Sequence, residues 1–266
     1  MSPSRAEARK YFIHAAHGAI GVSSATAAFK ACDPARFAPA EGSRQRLSVA
    51  LFAAWGDRAA APPPALLSRY LRQRLGARCV WPGDGPIAAH VAVLLGGAGA
   101  LDERLTEHLE AHCAEGGGLV AIGITPARHE PGRRFQWDVL GVELGETPGG
   151  PIVRLELDPD GEGHPIVGEM REGDSPIFAA RRLGQSPSHS WTTPGASVVR
   201  LADDAGVLLL ARRGERAEPA AWVRRHGLGR VFCTTLGPGD ATSGEAFLRL
   251  AAAAVAWAAG REMPPD

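Results

Sequence analysis

The chain has 266 residues, 45% of them hydrophobic and 22% charged, a balance that suits a globular protein long enough to bury a full core. Lys+Arg and Asp+Glu both number 29, so there is no basic excess. Without that excess, neither nucleic acid nor an anionic membrane surface is expected as a partner.

Residues 1–43 form an N-terminal segment with two readings. Arg9-Lys10, then Phe12-Ile13 and the mild stretch from Ala15 to Phe29, is similar to a twin-arginine export signal with lysine in the second arginine's place. Read as structure instead, the segment is a helix that docks on the domain or stays free, although Phe12, Ala16, Ile20 and Ala27 do not keep one face. The stretch is too short and too mild to span a membrane. The protein is exported or periplasmic if the signal works, and cytoplasmic otherwise.

From Leu47 the pattern becomes regular. Leu47 to Ala54 is a short apolar run, as in a strand buried on both faces of a parallel sheet. Pro64 to Leu75 places Leu67, Tyr70, Leu71 and Leu75 on one helical face, with Gly76 in the helix-ending position. Strands follow at Arg78 to Trp81 and Val91 to Leu95, and Gly96-Gly97-Ala98-Gly99 reads as a tight turn. Asp102 to Glu115 is a helix, and Gly116-Gly117-Gly118 leads into a strand from Leu119 to Ile124. This βαβ succession predicts a doubly wound, mostly parallel α/β sheet. In the second half, Ile152 to Leu157, Ser197 to Leu201 and Val207 to Ala211 are strand-like. Ala220 to Val223 and Arg230 to Thr235 are strands joined by a glycine turn, an antiparallel extension. An alanine-rich helix, Gly244 to Ala259, closes a single domain over residues 44–262.

Four motifs carry a resemblance. They are Gly116-Gly117-Gly118-Leu119-Val120; His164-Pro165-Ile166; Pro219-Ala220-Ala221-Trp222 with Gly227-Leu228-Gly229-Arg230-Val231 and Leu236-Gly237; and Trp257-Ala258. In this order the chain resembles the ThuA-like (trehalose-utilisation) family over roughly residues 46 to 260. The resemblance implies a flavodoxin-like sheet of the class I glutamine amidotransferase kind, and a link to carbohydrate utilisation.

The expected chemistry is depleted. Such folds hold a working residue at the turn after a central strand, here Ile122-Gly123-Ile124-Thr125-Pro126. The resemblance implies histidine at Gly123 and after Leu236-Gly237, where this chain has Pro238. His164 and Thr125 remain as candidate catalytic residues. Trp55, Asp57, Gly123, His129 and Asp240 are candidate ligand contacts for a sugar-like molecule, which needs polar groups and an aromatic platform. The expected cleft gathers the loops after Ala54, Leu95 and Ile124, with His164 or Asp240 reaching in.

His108 and His112 share a helical face but lack a third ligand and the zinc-protease glutamate spacing, so they read as helix histidines. No metal and no cofactor is expected. Cys32, Cys79, Cys113 and Cys233 form no CxxC pair and read as core residues. Two functions follow: a ThuA-like protein of carbohydrate utilisation with a depleted catalytic site, or a non-catalytic binding or assembly protein that keeps the fold.

Overall fold

The computed structural model describes residues 46–53, 64–81, 86–96, 101–146, 150–152, 154–172, 191–193, 196–213, 216–237 and 244–261. The N-terminal segment, Trp55, Asp57, Pro238 and Asp240 lie outside them.

Val91–Leu95 (β3) and Gly118–Ile122 (β4) are buried at every position, because helices cover both faces of the sheet they share. Ser48–Ala53 (β1) and Arg78–Val80 (β2) pair beside them, and Pro64–Leu75 (α1) joins that pair. Glu103–Ala114 (α2) begins at Asp102, whose carboxylate accepts the Leu105 amide at 2.7 Å. The second half contributes Glu130–Asp138 (α3), Val142–Glu146 (β5), Gly150–Ile152 (β6), Arg154–Leu157 (β7) and Pro165–Glu172 (α4). Trp191–Thr193 (β8), Ala196–Leu201 (β9), Gly206–Arg213 (β10), Arg216–His226 (β11), Gly229–Thr234 (β12) and Gly244–Ala258 (α5) follow.

The main sheet has the order β2-β1-β3-β4-β12-β11-β10-β7. Its first five strands are parallel and the last three attach antiparallel. Two small ribbons, β5–β9 and β6–β8, stand apart. Alternate residues feed two cores. Val91, Val93, Val120, Ile122 and Phe232 pack with α1, α4 and α5 on one face. Ala92, Leu94, Leu119, Ala121, Val231 and Cys233 pack with α2 and α3 on the other.

The mixed α/β sheet with its antiparallel extension is the expected one. Two details differ. Ile152 to Leu157 divides between strands of two sheets. Helices α3 and α4 were hidden in the sequence behind Pro131-Gly132 and Pro165, but a proline in the first turn lacks only an amide that has no helical partner anyway.

Ala53, Leu95, Ile122 and Thr234 lie level at the carboxyl edge of the parallel strands. From there β1 and β12 lead to helices on one face, while β3 and β4 lead to helices on the other. Neighbours β1/β3 and β4/β12 therefore send the chain in opposite directions. Such divergence opens a crevice above the sheet edge, and ligands of open α/β sheets bind in crevices of this kind.

Candidate functional site

The motif residues gather at the other edge. Leu228, at the tip of the β11–β12 turn, donates its amide to the Ala114 carbonyl at the end of α2 (3.2 Å). A side chain on Gly229 would collide with the carbonyl oxygens of Gly117 and Cys113, and one on Gly118 would come within 2.7 Å of the Ala258 carbonyl. Arg230 donates to the Trp257 carbonyl (2.8 Å) and lies over its ring. His164 meets the same indole edge-on and accepts the Ile166 amide on Nδ1 (3.3 Å), as a cap for α4. Close backbone approach accounts for Gly118 and Gly229, and His164 caps α4.

His164 is therefore placed at the amino edge, a correction to the expectation that it reaches the Gly123 turn. The length of β4 separates the two, about 16 Å at strand rise. Burial first, and the Arg230 charge second, lower its pKa to about 4, so it is neutral at physiological pH.

At the carboxyl edge Gly123 follows β4 with φ +64°, and Gly96 follows β3 with φ +96°. The next amide, Ile124, donates to the Thr234 carbonyl across the β4/β12 crevice (3.2 Å). Buried Gln136 on α3 then pins the loop from both ends. Its Nε2 donates to the Thr125 carbonyl (2.5 Å), and its Oε1 accepts the Ala127 amide (3.2 Å). Thr125 is half-buried and holds the loop through its backbone. His129 stands at the start of α3, exposed, with no capping bond from its side chain. Gly123, Thr125 and His129 thus share one loop.

Three polar residues of this edge escaped the sequence reading. Thr234 donates its hydroxyl to the Ala220 carbonyl (2.7 Å) and accepts the Leu236 amide (3.0 Å), whereas Thr235, 3% exposed, has no hydroxyl partner among the described residues. Glu218 is buried near the start of β11. A lone acid beside Pro219 in the otherwise apolar run Ala217 to Val223 was the available signal.

Of the other singled-out residues, His112 is buried with Nε2 3.2 Å from the Gly118 carbonyl, and His108 is half-buried beside it. Cys113 and Cys233 are buried in the α2/α3 core; burial pushes the Cys113 thiol up to about 12 and raises that of Cys233 further. Among the described residues no three His, Cys, Asp or Glu gather as a metal site, and no helix is long and apolar enough to cross a membrane.

A helix-covered, mostly parallel sheet with divergent loops at its carboxyl edge defines a mixed α/β protein. Among solved structures it is similar to a protein named as ThuA-like from Bacteroides uniformis, at 15% identity and a TM-score of 0.53, covering 83% of this chain and 95% of that one. A further protein so named, from Parabacteroides merdae, matches at 15% identity and a TM-score of 0.48, over 84% of this chain and 93% of that one. A cytoplasmic protein from Salmonella typhimurium matches at 15% identity and 0.48, over 80% and 97%. The chain is thus ThuA-like in fold, an assignment that rests on the first of these. No protein-family profile and no curated protein sequence matches it.

Proposed function

We propose that this chain is a ThuA-like domain protein of carbohydrate utilisation that binds a small sugar-like ligand at its carboxyl edge, in a site depleted of catalytic side chains. The order β2-β1-β3-β4-β12 supports a flavodoxin-like reading of the parallel strands, the arrangement implied by the glutamine amidotransferase resemblance. Gly123 is the observation that carries the depletion. It occupies the left-handed turn after a central strand, where such folds expose a working side chain, and it has none. Cys113 and Cys233 sit inside the α2/α3 core as protonated thiols, unsuited to serve as the nucleophile of an amidotransferase. Thr125, His129 and Thr235 leave polar groups around the β4/β12 crevice for ligand hydroxyls, and Trp55, Asp57 and Asp240 complete the proposed contacts.

The experiment is a thermal-shift series with trehalose and glucose, run beside an assay for trehalose turnover. A sugar-dependent rise in Tm without turnover supports the proposal. Turnover overturns the depleted site, and no response to any sugar favours a binding or assembly role with another partner.

The same proposal assigns residues 1–43 to an export-type segment and 44–262 to the domain. Mature protein outside the cytoplasm, lacking the stretch up to Phe29, supports this. Intact Met1 on cytoplasmic protein overturns it.

A further inference from the structure

We propose that Glu218 is the ligand-recognition carboxylate of the carboxyl-edge site, and that it selects a neutral, hydroxyl-rich ligand over a phosphorylated one. The inference rests on the functional reading above and adds to it a residue and a charge preference.

Glu218 is 8% exposed, yet it belongs to a strand whose neighbours are apolar. Directly across from it stands Ala211, and across from Ala211 stands Leu155, both buried in the α5-side core. Its charge partner is Arg216, whose Nε lies 3.1 Å from Oε1 and whose side chain is 67% exposed. An arginine that open to water offsets little of the cost of removing a carboxylate from solvent. A hydrophobic residue would fill the same place at lower cost, so stability gives no reason for the acid.

Its position supplies one. Ala221 pairs with Thr234, the last residue of β12, and a register shift follows at Ala220. The Ala220 carbonyl accepts both the Thr235 amide and the Thr234 hydroxyl, tying β11 to the end of β12. Beyond this point β11 continues past the parallel strands, which lifts Glu218 about 10 Å above the level of Thr234. Glu218 thus stands at the ligand edge, one strand from β12 and two from the Gly123 turn. With Arg216 on Oε1 the pair carries no net charge, so Oε2 is left to accept a ligand hydroxyl and the pair gives a phosphate no net attraction to offset its loss of water.

The test is thermal shift of the full chain with trehalose, glucose and glucose 6-phosphate, in the wild type, Glu218→Gln and Glu218→Leu. Without ligand, Glu218→Leu is expected to melt about 2–4 °C higher, as when a buried charge kept for binding is removed. The wild type is expected to rise with trehalose or glucose and not with glucose 6-phosphate, and both variants to lose at least about tenfold in apparent affinity. Variants that respond to sugar as the wild type does overturn the role of Glu218 and leave the sugar reading standing. A wild type that responds to no sugar overturns both. A response to glucose 6-phosphate equal to that for glucose overturns the charge preference. If Glu218→Leu melts lower than the wild type, the ion pair is structural and the inference falls.

Discussion

The imidazole of His164 meets the indole of Trp257 edge-on, with ring centroids 5.1 Å apart and planes at 60°. Two motifs far apart in the chain thus meet in one packing contact, and Arg230 completes it by binding the Trp257 carbonyl. The contact packs these motif residues together at the edge opposite the carboxyl-edge crevices.

That packing predicts a pH dependence of stability. The His164 pKa falls from its ordinary 6.5 to about 4 in the folded chain, through burial and then the Arg230 charge. Between those values the unfolded chain binds the extra proton, so stability is fully present above pH 6.5 and is lost as pH falls towards 4. The effect is roughly 3 kcal/mol at full shift. His112, lowered chiefly by burial, acts in the same direction. Urea denaturation across pH 4–7 should give a flatter slope for His164→Asn than for the wild type; equal slopes would show that His164 titrates normally.

Gly76 and Gly227 have nearly the same backbone angle, φ +60° and +58°, in different surroundings. A side chain on Gly76 meets nothing within 4 Å, while one on Gly227 comes 2.5 Å from the Ala114 Cα. Gly76→Ala should cost about 1 kcal/mol, the conformational penalty alone. Gly227→Ala should cost about 2 kcal/mol more, because backbone must move. Equal losses in chemical denaturation would mean that the hairpin yields freely.

Trp222 is fully buried and donates Nε1–H to the Leu140 carbonyl at 3.0 Å, a bond from the sheet to the end of α3. Trp222→Phe keeps most of the apolar contact and removes the donor. The expected loss is about 2–4 kcal/mol from the orphaned carbonyl and the partial cavity. A loss below about 1 kcal/mol, measured by the urea midpoint, would mean that the Cys233 thiol, 3.8 Å from the same carbonyl, suffices as its partner.

Gln136 predicts a local effect at the carboxyl edge. Gln136→Leu removes the bonds to the Thr125 carbonyl and the Ala127 amide, and leaves the Arg133 bond to the Ala127 carbonyl. Amide hydrogen exchange at Ala127 should accelerate at least about tenfold, with Leu228 at the far edge unchanged. Uniform acceleration at both sites would instead indicate global destabilisation.

Much of the first half was legible because its information is local. A run such as VAVLL, buried at every position, announces a strand covered on both sides, and Leu67 and Leu71 announce the face that α1 buries. The Gly-Leu-Gly turn likewise announced the β11–β12 hairpin. Helix α3 was missed because Pro131-Gly132 reads as a breaker, although proline in the first turn is tolerated.

The sequence by itself determined the α/β class, the buried strands and the glycine turn at Gly123, since each is a property of a residue or of a short window around it. Only the tertiary structure decided that β12 pairs with β4, that His164 belongs to the amino edge, and that Glu218 is buried beyond the end of β12. Those outcomes depend on which faces bury each other across long stretches of chain. Hydrophobic burial is non-directional, so periodicity tells that a face is covered but not by which partner.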